Sequence, residues 1–238
     1  MINLWKSLPQ VYGIIILRGN DMCTRYYYDN SNPDLREIAN KVESLPLTIE
    51  MVSKFGIPVI TNGEVHPSEL APVIAPNKNG QMCFFAMKWG FNIPAPNPAS
   101  TEPKNLLYIN ARSETAYEKK NFKDSWEHRR CIIPSSYYFE WKHLKDADGK
   151  TKQKEKYLIQ PQNMDITYLA GLYRIEGNYP VFTVLTMPPS EEVAKIHDRM
   201  PVIFPKDQIE NWINPKTTPS ELLQFALTDM YTEKISSG

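Results

Sequence analysis

Residues 72–91 read PVIAPNKNGQMCFFAMKWGF and contain the clearest strand pair of this 238-residue sequence. Two apolar segments, 72–76 and 81–91, flank Asn77-Lys78-Asn79-Gly80. A turn sequence of this kind between two apolar runs is typical of a β-hairpin. The segment therefore predicts two adjacent antiparallel strands near the middle of the fold.

Similar apolar runs lie on the C-terminal side of this hairpin. A second hairpin is predicted where segments 167–175 and 180–186 flank Glu176-Gly177-Asn178. Further strands are predicted over residues 106–109, 130–141, 156–161 and 200–204. The number of short strands, with no internal repeat and no clear linker, predicts a strand-rich α+β single domain with one core.

One segment carries the full signature of an amphipathic helix. Asn32 precedes Pro33, which is an N-cap residue followed by proline at the first helical position. Apolar residues then recur at helical spacing from Leu35 to Val42, so a helix is predicted over 33–44. Other helices are predicted over residues 114–127, 190–197, 206–213 and 219–227, and loops over 92–105 and 144–155.

The charge of the chain is balanced overall but not evenly distributed. The formal net charge is zero and the pI is about 6.9, whereas proteins that clamp duplex DNA are usually strongly basic. Residues 104–156 contain 13 Lys and Arg against 8 Asp and Glu. This basic middle is compatible with a modest phosphate-binding surface and equally with a solvated face.

The cysteines indicate the redox state of the compartment in which the protein is expected. Three cysteines without a C-x-x-C pair indicate neither a disulfide framework nor a zinc site, and a reducing cytoplasm is expected. No apolar run reaches the length of about 20 residues that a membrane span needs.

Residues 1–21 are interpreted as an N-terminal extension that precedes a domain over 22–238. The extension either comes from an upstream start or is later removed. If the extension is retained, Ile14–Leu17 either packs as an added strand or is disordered.

Four short segments and one dipeptide carry the chemical signal, and they occur in a fixed order. They are Met22-Cys23-Thr24-Arg25, Trp89-Gly90, Asn110-Ala111-Arg112-Ser113-Glu114-Thr115, Phe139-Glu140-Trp141 and His197-Asp198-Arg199-Met200-Pro201. In this order they closely resemble the SRAP (SOS-response-associated peptidase) family, from Met22 to about Trp212. The resemblance implies a mixed, barrel-like β core with peripheral helices.

The resemblance also implies a function in the DNA-damage (SOS) response. It implies a covalent crosslink to abasic sites in single-stranded DNA, an associated lyase activity and a self-processing peptidase activity that frees the cysteine. Carried over by position, the catalytic residues are Cys23, Asn110, Glu140 and His197. The DNA-binding residues are Arg25, Trp89, Arg112, Trp141, Thr186 and Arg199. No metal or organic cofactor and no membrane partner is expected, and the protein is expected to be a cytoplasmic monomer, associated with the nucleoid when it acts on DNA.

The chemistry of Cys23 explains why its position matters. An abasic site opens to an aldehyde, and a cysteine at a free N-terminus presents an amine and a thiol on adjacent carbons. The amine, with a pKa of about 7.7–8.0, can form a Schiff base that the thiol closes to a thiazolidine ring. Because the nitrogen of an internal cysteine is a peptide amide, this chemistry requires that Cys23 becomes the first residue.

Each of the other site residues also has an alternative role that involves no catalysis. On a strand Glu140 points away from Phe139 and Trp141, so it either lines a desolvated pocket, with a raised pKa, or faces solvent. His197 is either a proton shuttle or a surface residue, and Asn110 either a hydrogen-bond donor or a turn residue. Cys83 and Cys131 lie in apolar runs and are expected in the core.

Two other functions fit parts of the pattern. Cys23 and His197 could form the dyad of a conventional cysteine hydrolase, which would cleave unrelated peptides. A non-catalytic single-strand binding module would retain DNA binding without Cys23. The segment 61–67 matches the family's Asn-x-x-Pro loop only loosely, so Asn62 and Pro67 receive no role.

Overall fold

The computed structural model describes residues 14–16, 24–96, 103–146, 148 and 151–237. The described strands are β1 (Ile14–Ile16), β2 (Arg25–Tyr28), β3 (Gly63–Val65), β4 (Leu70–Pro76), β5 (Met82–Trp89), β6 (Phe91–Ala95), β7 (Lys104–Tyr108), β8 (Asn110–Arg112), β9 (Arg130–Ser135), β10 (Tyr137–Lys145), β11 (Thr151–Pro161), β12 (Thr167–Glu176), β13 (Tyr179–Met187), β14 (Met200–Pro201), β15 (Ile203–Phe204) and β16 (Met230–Ser237). The described α-helices are α1 (Pro33–Glu43), α2 (Pro46–Phe55), α3 (Lys123–His128), α4 (Glu191–Ala194), α5 (Ile209–Ile213) and α6 (Pro219–Leu222), with 3-10 turns at Lys206–Gln208 and Leu223–Phe225.

The centre of the fold is a closed barrel of five strands in the order β13-β5-β4-β9-β12. Strand β13 pairs with β5 on one side and with β12 on the other, which closes the ring. The β13–β5 pair is parallel and the other four pairs are antiparallel. The predicted strand-rich α+β domain with a barrel-like core and peripheral helices is therefore confirmed.

The hairpin predicted from residues 72–91 forms two adjacent barrel strands. Strand β4 pairs with β5 from Leu70 opposite Lys88 to Pro76 opposite Met82. The Asn77 side chain accepts hydrogen bonds from the backbone N–H groups of Asn79 and Gln81, which fixes the turn. The hairpin predicted on both sides of Gly177 is confirmed in the same way by β12 and β13.

A second sheet has the order β16-β11-β10-β2-β3, and all its pairs are antiparallel. One of its faces contributes fully buried residues to the core, among them Tyr26 and Tyr138. A third, small sheet has the order β1-β7-β6. In it, residues 14–16 of the N-terminal extension pair in parallel with residues 105–107, which is the added strand expected if the extension is retained.

Helix α1 forms as predicted. The Asn32 side chain accepts hydrogen bonds from the backbone N–H groups of Asp34 and Leu35, and Pro33 occupies the first turn. The predicted apolar face, which includes Leu35 and Val42, is buried. Helix α2 was missed by the sequence reasoning; Gly56 ends it with φ 67°, a conformation that favours glycine.

The charged segment predicted as a loop over 144–155 is largely strand. Strands β10 and β11 form a long ribbon, paired from Tyr138 opposite Ile159 to Lys145 opposite Thr151. The outer part of this ribbon is largely solvent-accessible, so its sequence lacks the alternation that reveals a half-buried strand. The predicted loop over 92–105 likewise contains ends of β6 and β7, and residues 97–102 lie outside the described residues.

The predicted helix over 114–127 forms only from Lys123 onward, as α3 (Lys123–His128), and turns occupy residues 113–118 and 120–122. The predicted strand over 200–204 is divided at Val202, whose backbone N–H donates instead to the Leu185 carbonyl. The short helix predicted after Ser190 is present as α4, and the Ser190 hydroxyl accepts from the backbone N–H of Val193.

Candidate active site and DNA-binding face

Strand β13 brings two of the sequence motifs together. Strand β8 pairs with it in parallel, with Arg112 opposite Thr186, and β14 pairs antiparallel, with Pro201 opposite Thr186. Thr186 is fully buried and its hydroxyl donates to the Ala111 carbonyl at 3.3 Å. Thr186 therefore holds the two segments side by side.

A forked ion pair links the same two motifs. The Arg199 guanidinium donates to both carboxylate oxygens of Glu114, with Nη2 to Oε2 at 2.7 Å, and to the Thr186 carbonyl at 2.9 Å. Arg199 is buried, whereas the Glu114 side chain is about half-buried. The hydrogen bond from Arg199 is the largest cause of a lowered pKa for Glu114, so this carboxyl is ionised at neutral pH. The ion pair thus joins the segment after β8 to the segment before β14.

His197 lies just beyond the C-terminal end of α4 and is mostly buried, with 13% of its side chain exposed. Its Nδ1 is 3.0 Å from Asp198 Oδ1 and 3.3 Å from the backbone nitrogen of Arg199. In the neutral ring Nδ1 can accept from that N–H group, and in the imidazolium form it can pair with Asp198. The imidazole is thus held by groups that suit both protonation states.

Trp89 connects the Asn110 segment to β2. Its indole Nε1 donates to the Ile109 carbonyl at 2.9 Å, and its ring packs between Tyr26 and Phe182 at centroid distances of 5.3 and 5.9 Å. The side chain is completely buried. Trp89 therefore packs in the core of this structure, and its contact with DNA stays a prediction.

The dipeptide Trp89-Gly90 has a steric explanation. Gly90 has φ 118°, a backbone conformation that side chains rarely adopt. A Cβ atom at this position would lie 2.5 Å from the side chain of Leu107. Glycine is therefore required where the chain turns from β5 into β6 beside the barrel.

Glu140 lies on the buried face of the second sheet. It is 1% exposed and pairs across β10–β11 with Tyr157. Its neighbours Phe139 and Trp141 point to the other face, where the Lys156 ammonium lies 3.7 and 5.6 Å from their ring centroids. The alternative of a solvent-facing Glu140 is therefore excluded by the geometry.

The opposite face of this sheet carries aromatic rings and cations, and we call it the cation–aromatic face. It consists of Arg25, Tyr27, Tyr137, Phe139, Trp141 and Lys156. Tyr27 and Tyr137 are stacked at 5.1 Å, and the Arg25 guanidinium lies 5.2 Å from the Trp141 ring centroid. Flat rings flanked by cations form the type of surface on which unpaired bases stack.

The family model for SOS response associated peptidase (SRAP) matches residues 22–237. This chain belongs to the SRAP family. It is 34% identical over 206 residues to abasic site processing protein YobE of Bacillus subtilis (strain 168), covering 79% of this chain and 90% of that protein. It is 27% identical over 126 residues to abasic site processing protein YedK of Escherichia coli (strain K12), covering 50% of this chain and 52% of that protein.

The SRAP fold is also shared with solved structures. A protein from Bacteroides thetaiotaomicron superposes with a TM-score of 0.64 at 21% identity, covering 90% of this chain and 92% of that one. At this level of identity the likeness concerns the fold.

The SRAP residues predicted from the sequence fall into two groups. Arg112, Thr186 and Arg199 meet around β13, with Asn110 at the start of β8 and His197 beyond α4. Arg25 and Trp141 meet on the cation–aromatic face beside β2, and Glu140 lies on the opposite, buried face of β10. The Tyr26–Trp89 contact and the Trp89 bond to Ile109 connect these groups. Cys23 lies outside the described residues.

Several charged and aromatic residues at the SRAP site were missed by the sequence reasoning. Glu114 lies inside a recognised motif but had no assigned role. Glu64 and Lys156 come together from residues 92 positions apart, and nothing near either in the sequence indicates their pairing. The alternation of aromatic residues in Tyr137-Tyr138-Phe139-Glu140-Trp141 was the available signal for the cation–aromatic face.

In the part of the SRAP chain that the structure describes, no group of three or more His, Cys, Asp or Glu residues is placed to hold a metal ion. Among the same residues, no helix is both long and apolar enough to span a membrane.

Proposed function

We propose that this protein recognises abasic sites in single-stranded DNA and crosslinks to them through Cys23. The curated relatives that it resembles are named abasic site processing proteins. The observation that carries the proposal is the buried carboxylate of Glu140, on the strand beside β2 and close in sequence to two aromatic side chains of the cation–aromatic face.

The strand register supports a role for Glu140 next to Cys23. Arg25, the first residue of β2, pairs with Phe139 on β10. Cys23 precedes Arg25 by two residues, so their Cα atoms are within about 7.6 Å of each other. Glu140 follows Phe139 by one residue. We infer that the freed amine and thiol of Cys23 act beside this carboxyl group.

The reaction would begin with hydrolysis of the peptide bond between Met22 and Cys23, or with removal of an initiator Met22. The freed Cys23 amine attacks the sugar aldehyde carbon, and the resulting carbinolamine loses water to give an imine. Glu140 or His197 protonates the departing hydroxyl group, which is general acid catalysis. The Cys23 thiolate then adds to the imine carbon while the nitrogen takes up a proton, which closes the thiazolidine ring.

The same imine accounts for a lyase activity. Abstraction of the proton next to the imine carbon allows the 3′ phosphate to leave by β-elimination, which cleaves the strand. His197 suits this abstraction because its surroundings accommodate both the neutral and the protonated ring. We place this activity in the DNA-damage response, in a cytoplasmic monomer that acts on the nucleoid.

Single-stranded DNA fits the face better than duplex DNA does. Bases can stack on the half-buried rings of Tyr27, Tyr137 and Trp141 only when they are unpaired. Arg25 and the exposed Arg112 are the cations that the phosphates would meet. The neutral overall charge gives little energy for opening a helix.

The test is to incubate protein that starts at Cys23 with an abasic oligonucleotide and to follow adduct formation on a denaturing gel. We expect Cys23→Ala to form no stable adduct, and Glu140→Gln to slow adduct formation by a factor of about 10²–10⁴. His197→Ala should change the rate of reversal or of strand cleavage.

Glu127→Gln is the matched control, since Glu127 is an exposed glutamate on α3. Adduct formation at the wild-type yield by Cys23→Ala would refute the thiazolidine. Cleavage of unrelated peptides in trans, without an adduct, would instead favour a conventional cysteine hydrolase using Cys23 and His197.

The N-terminus provides an independent test. Chains 1–238 and 22–238 should be compared by intact-mass measurement and by crosslinking, and the species that crosslinks should begin at Cys23. Residues 14–16 pair with residues 105–107 of β7, and β8 begins at Asn110, three residues after 107. An extension that is retained would therefore be tethered near the site. Equally fast crosslinking, through the same linkage, by protein that retains residues 1–22 would contradict the requirement for a free amine.

A further inference from the structure

Glu64 lies between the two cations of the cation–aromatic face. It is on β3 and pairs with Tyr27 of β2. Its Oε2 is 3.2 Å from Arg25 Nη1, and its Oε1 forms an ion pair with Lys156 Nζ. One carboxylate thus joins cations that come from β2 and from β11.

The Lys156–Glu64 pair crosses the whole face. Lys156 starts on β11, opposite Trp141 of β10, and its ammonium lies 3.7 Å from the centroid of the Phe139 ring. It then meets Glu64 on β3, two strands beyond β10 in the sheet order. The lysine side chain therefore covers Phe139, which is 3% exposed.

The carboxylate of Glu64 is firmly ionised in this arrangement. Burial raises its pKa, but the hydrogen bonds and charges of Lys156 and Arg25 outweigh burial, and the pKa is lowered overall. Side-chain exposures of 29% for Glu64 and 15% for Lys156 mean that this pair is shielded from bulk water. Two cations of the face are consequently already neutralised in part before any DNA arrives.

We propose that Glu64 is a specificity-determining residue whose carboxylate takes the place of a DNA phosphate between Arg25 and Lys156. The proposal rests on the proposed function, since it concerns the DNA-binding face of the same site. Carboxylate and phosphate oxygens accept the same charge-assisted hydrogen bonds from Arg and Lys. A strand that binds must displace Glu64 from at least one cation, and movement of Lys156 uncovers Phe139 for stacking.

This exchange lowers the affinity for every strand, damaged or intact. An abasic strand offsets the loss because the covalent step follows binding, whereas an intact strand dissociates. Glu64 therefore favours abasic over intact DNA without contacting the lesion, by keeping non-specific binding weak.

The experiment measures binding of an intact single-stranded oligonucleotide by fluorescence anisotropy over a series of KCl concentrations. We expect Glu64→Gln, which keeps the shape and removes the charge, to bind about 3- to 10-fold more tightly at low salt, with a log–log salt slope steeper by about 0.7. Glu64→Asp, which keeps the charge, should retain the wild-type slope.

Glu233→Gln is the control for net charge, because Glu233 is exposed on the edge strand β16 of the same sheet. Lys156→Gln should lower the slope by about 0.7, and the gain from Glu64→Gln should shrink in the double variant if the two residues act through their pair. A thermal unfolding midpoint for each variant identifies any that fail to fold.

Unchanged or weaker binding by a folded Glu64→Gln variant would overturn this inference, as would an equal gain in Glu233→Gln. These outcomes are separate from failure of the proposed function. If wild-type protein binds the intact strand but forms no adduct with abasic DNA, the proposed crosslinking fails while the salt slopes still decide the role of Glu64.

Discussion

Two buried arginines have their charges stabilised in different ways. Arg130 on β9 is 1% exposed and Arg199 beside β14 is 8% exposed, and both carry a charge that burial penalises. Arg130 is bound by backbone carbonyls and Arg199 by the side chain of Glu114. The comparison distinguishes Arg130, a structural cation, from Arg199, a cation at the candidate site.

Arg130 satisfies the ends of two helices. Its Nε donates to the Trp212 carbonyl at 2.6 Å, and its Nη1 donates to the carbonyls of Trp126 and Glu127, each at 2.9 Å. Nη2 donates to the carbonyl of Asn214. These are carbonyls near the C-terminal ends of α3 and α5, which lack intrahelical partners and carry the negative end of the helix dipole. Burial lowers the Arg130 pKa to about 10, so the side chain stays protonated at neutral pH.

Arg199 depends on a partner that solvent can reach. Glu114 is 42% exposed on its side chain, so water or a phosphate can replace part of the ion pair. Backbone carbonyls offer no such exchange because their positions are fixed by the helices. The difference indicates that Arg130 serves folding, whereas the Arg199–Glu114 pair can adjust when a ligand binds.

The largest expected effect is on Arg130. Arg130→Met should lower the free energy of unfolding by about 3–5 kcal/mol, because several buried carbonyls lose their donor at once. Urea denaturation measures this loss. Arg129→Met is the matched control: Arg129 is the adjacent, half-exposed arginine that pairs with Asp124, and its loss should cost less than about 1 kcal/mol. Equal losses of unfolding free energy in both variants would contradict the structural role of Arg130.

A smaller effect is expected for Arg199. Arg199→Met should cost about 2 kcal/mol, less than Arg130→Met, because hydrated Glu114 tolerates the loss and the Thr186 carbonyl keeps its hydrogen bond from the Ser113 backbone N–H. The same variant separates positioning from phosphate contact. Because Glu114 already neutralises Arg199, the salt slope for single-stranded DNA should change less than in Arg112→Ala, for which we expect a decrease of about 0.7. A larger slope change in Arg199→Met would make Arg199 the direct phosphate contact.

The smallest effect is expected for Glu114. Glu114→Gln should cost about 1 kcal/mol at pH 7, because the carboxyl is partly exposed and solvent screens the pair. Since the folded-state pKa of Glu114 is lowered, its contribution to stability is present above the ordinary pKa of 4.5 and is lost as the pH falls through the folded-state pKa. The stability difference between wild type and variant, measured by urea denaturation, should therefore shrink below about pH 4.5. A difference that grows as the pH falls would show that the pair does not stabilise the fold.

The two arginines also show the limits of sequence reasoning. Arg199 lies in the recognised segment His197-Asp198-Arg199-Met200-Pro201, so its presence at the site was predicted, but its partner was not. Arg130 lies in a run that was predicted as a strand, and nothing around it indicated a buried cation. Trp89 and Thr186 are completely buried. Their burial could not be predicted, because the sequence records the residue type and not its exposure.

The sequence by itself determined the elements and motifs whose signal is local. The hairpin at 72–91, helix α1 with its Asn32 cap, and each single motif of the SRAP family depend on residues close together in the chain. The tertiary structure decided which charges meet. Arg25 and Glu64 are 39 positions apart, Glu114 and Arg199 are 85 apart, and Glu64 and Lys156 are 92 apart. The physical reason is that hydrogen-bond periodicity and capping act between chain neighbours, whereas an ion pair across a sheet depends on the order and register of strands that only the folded barrel and its second sheet establish.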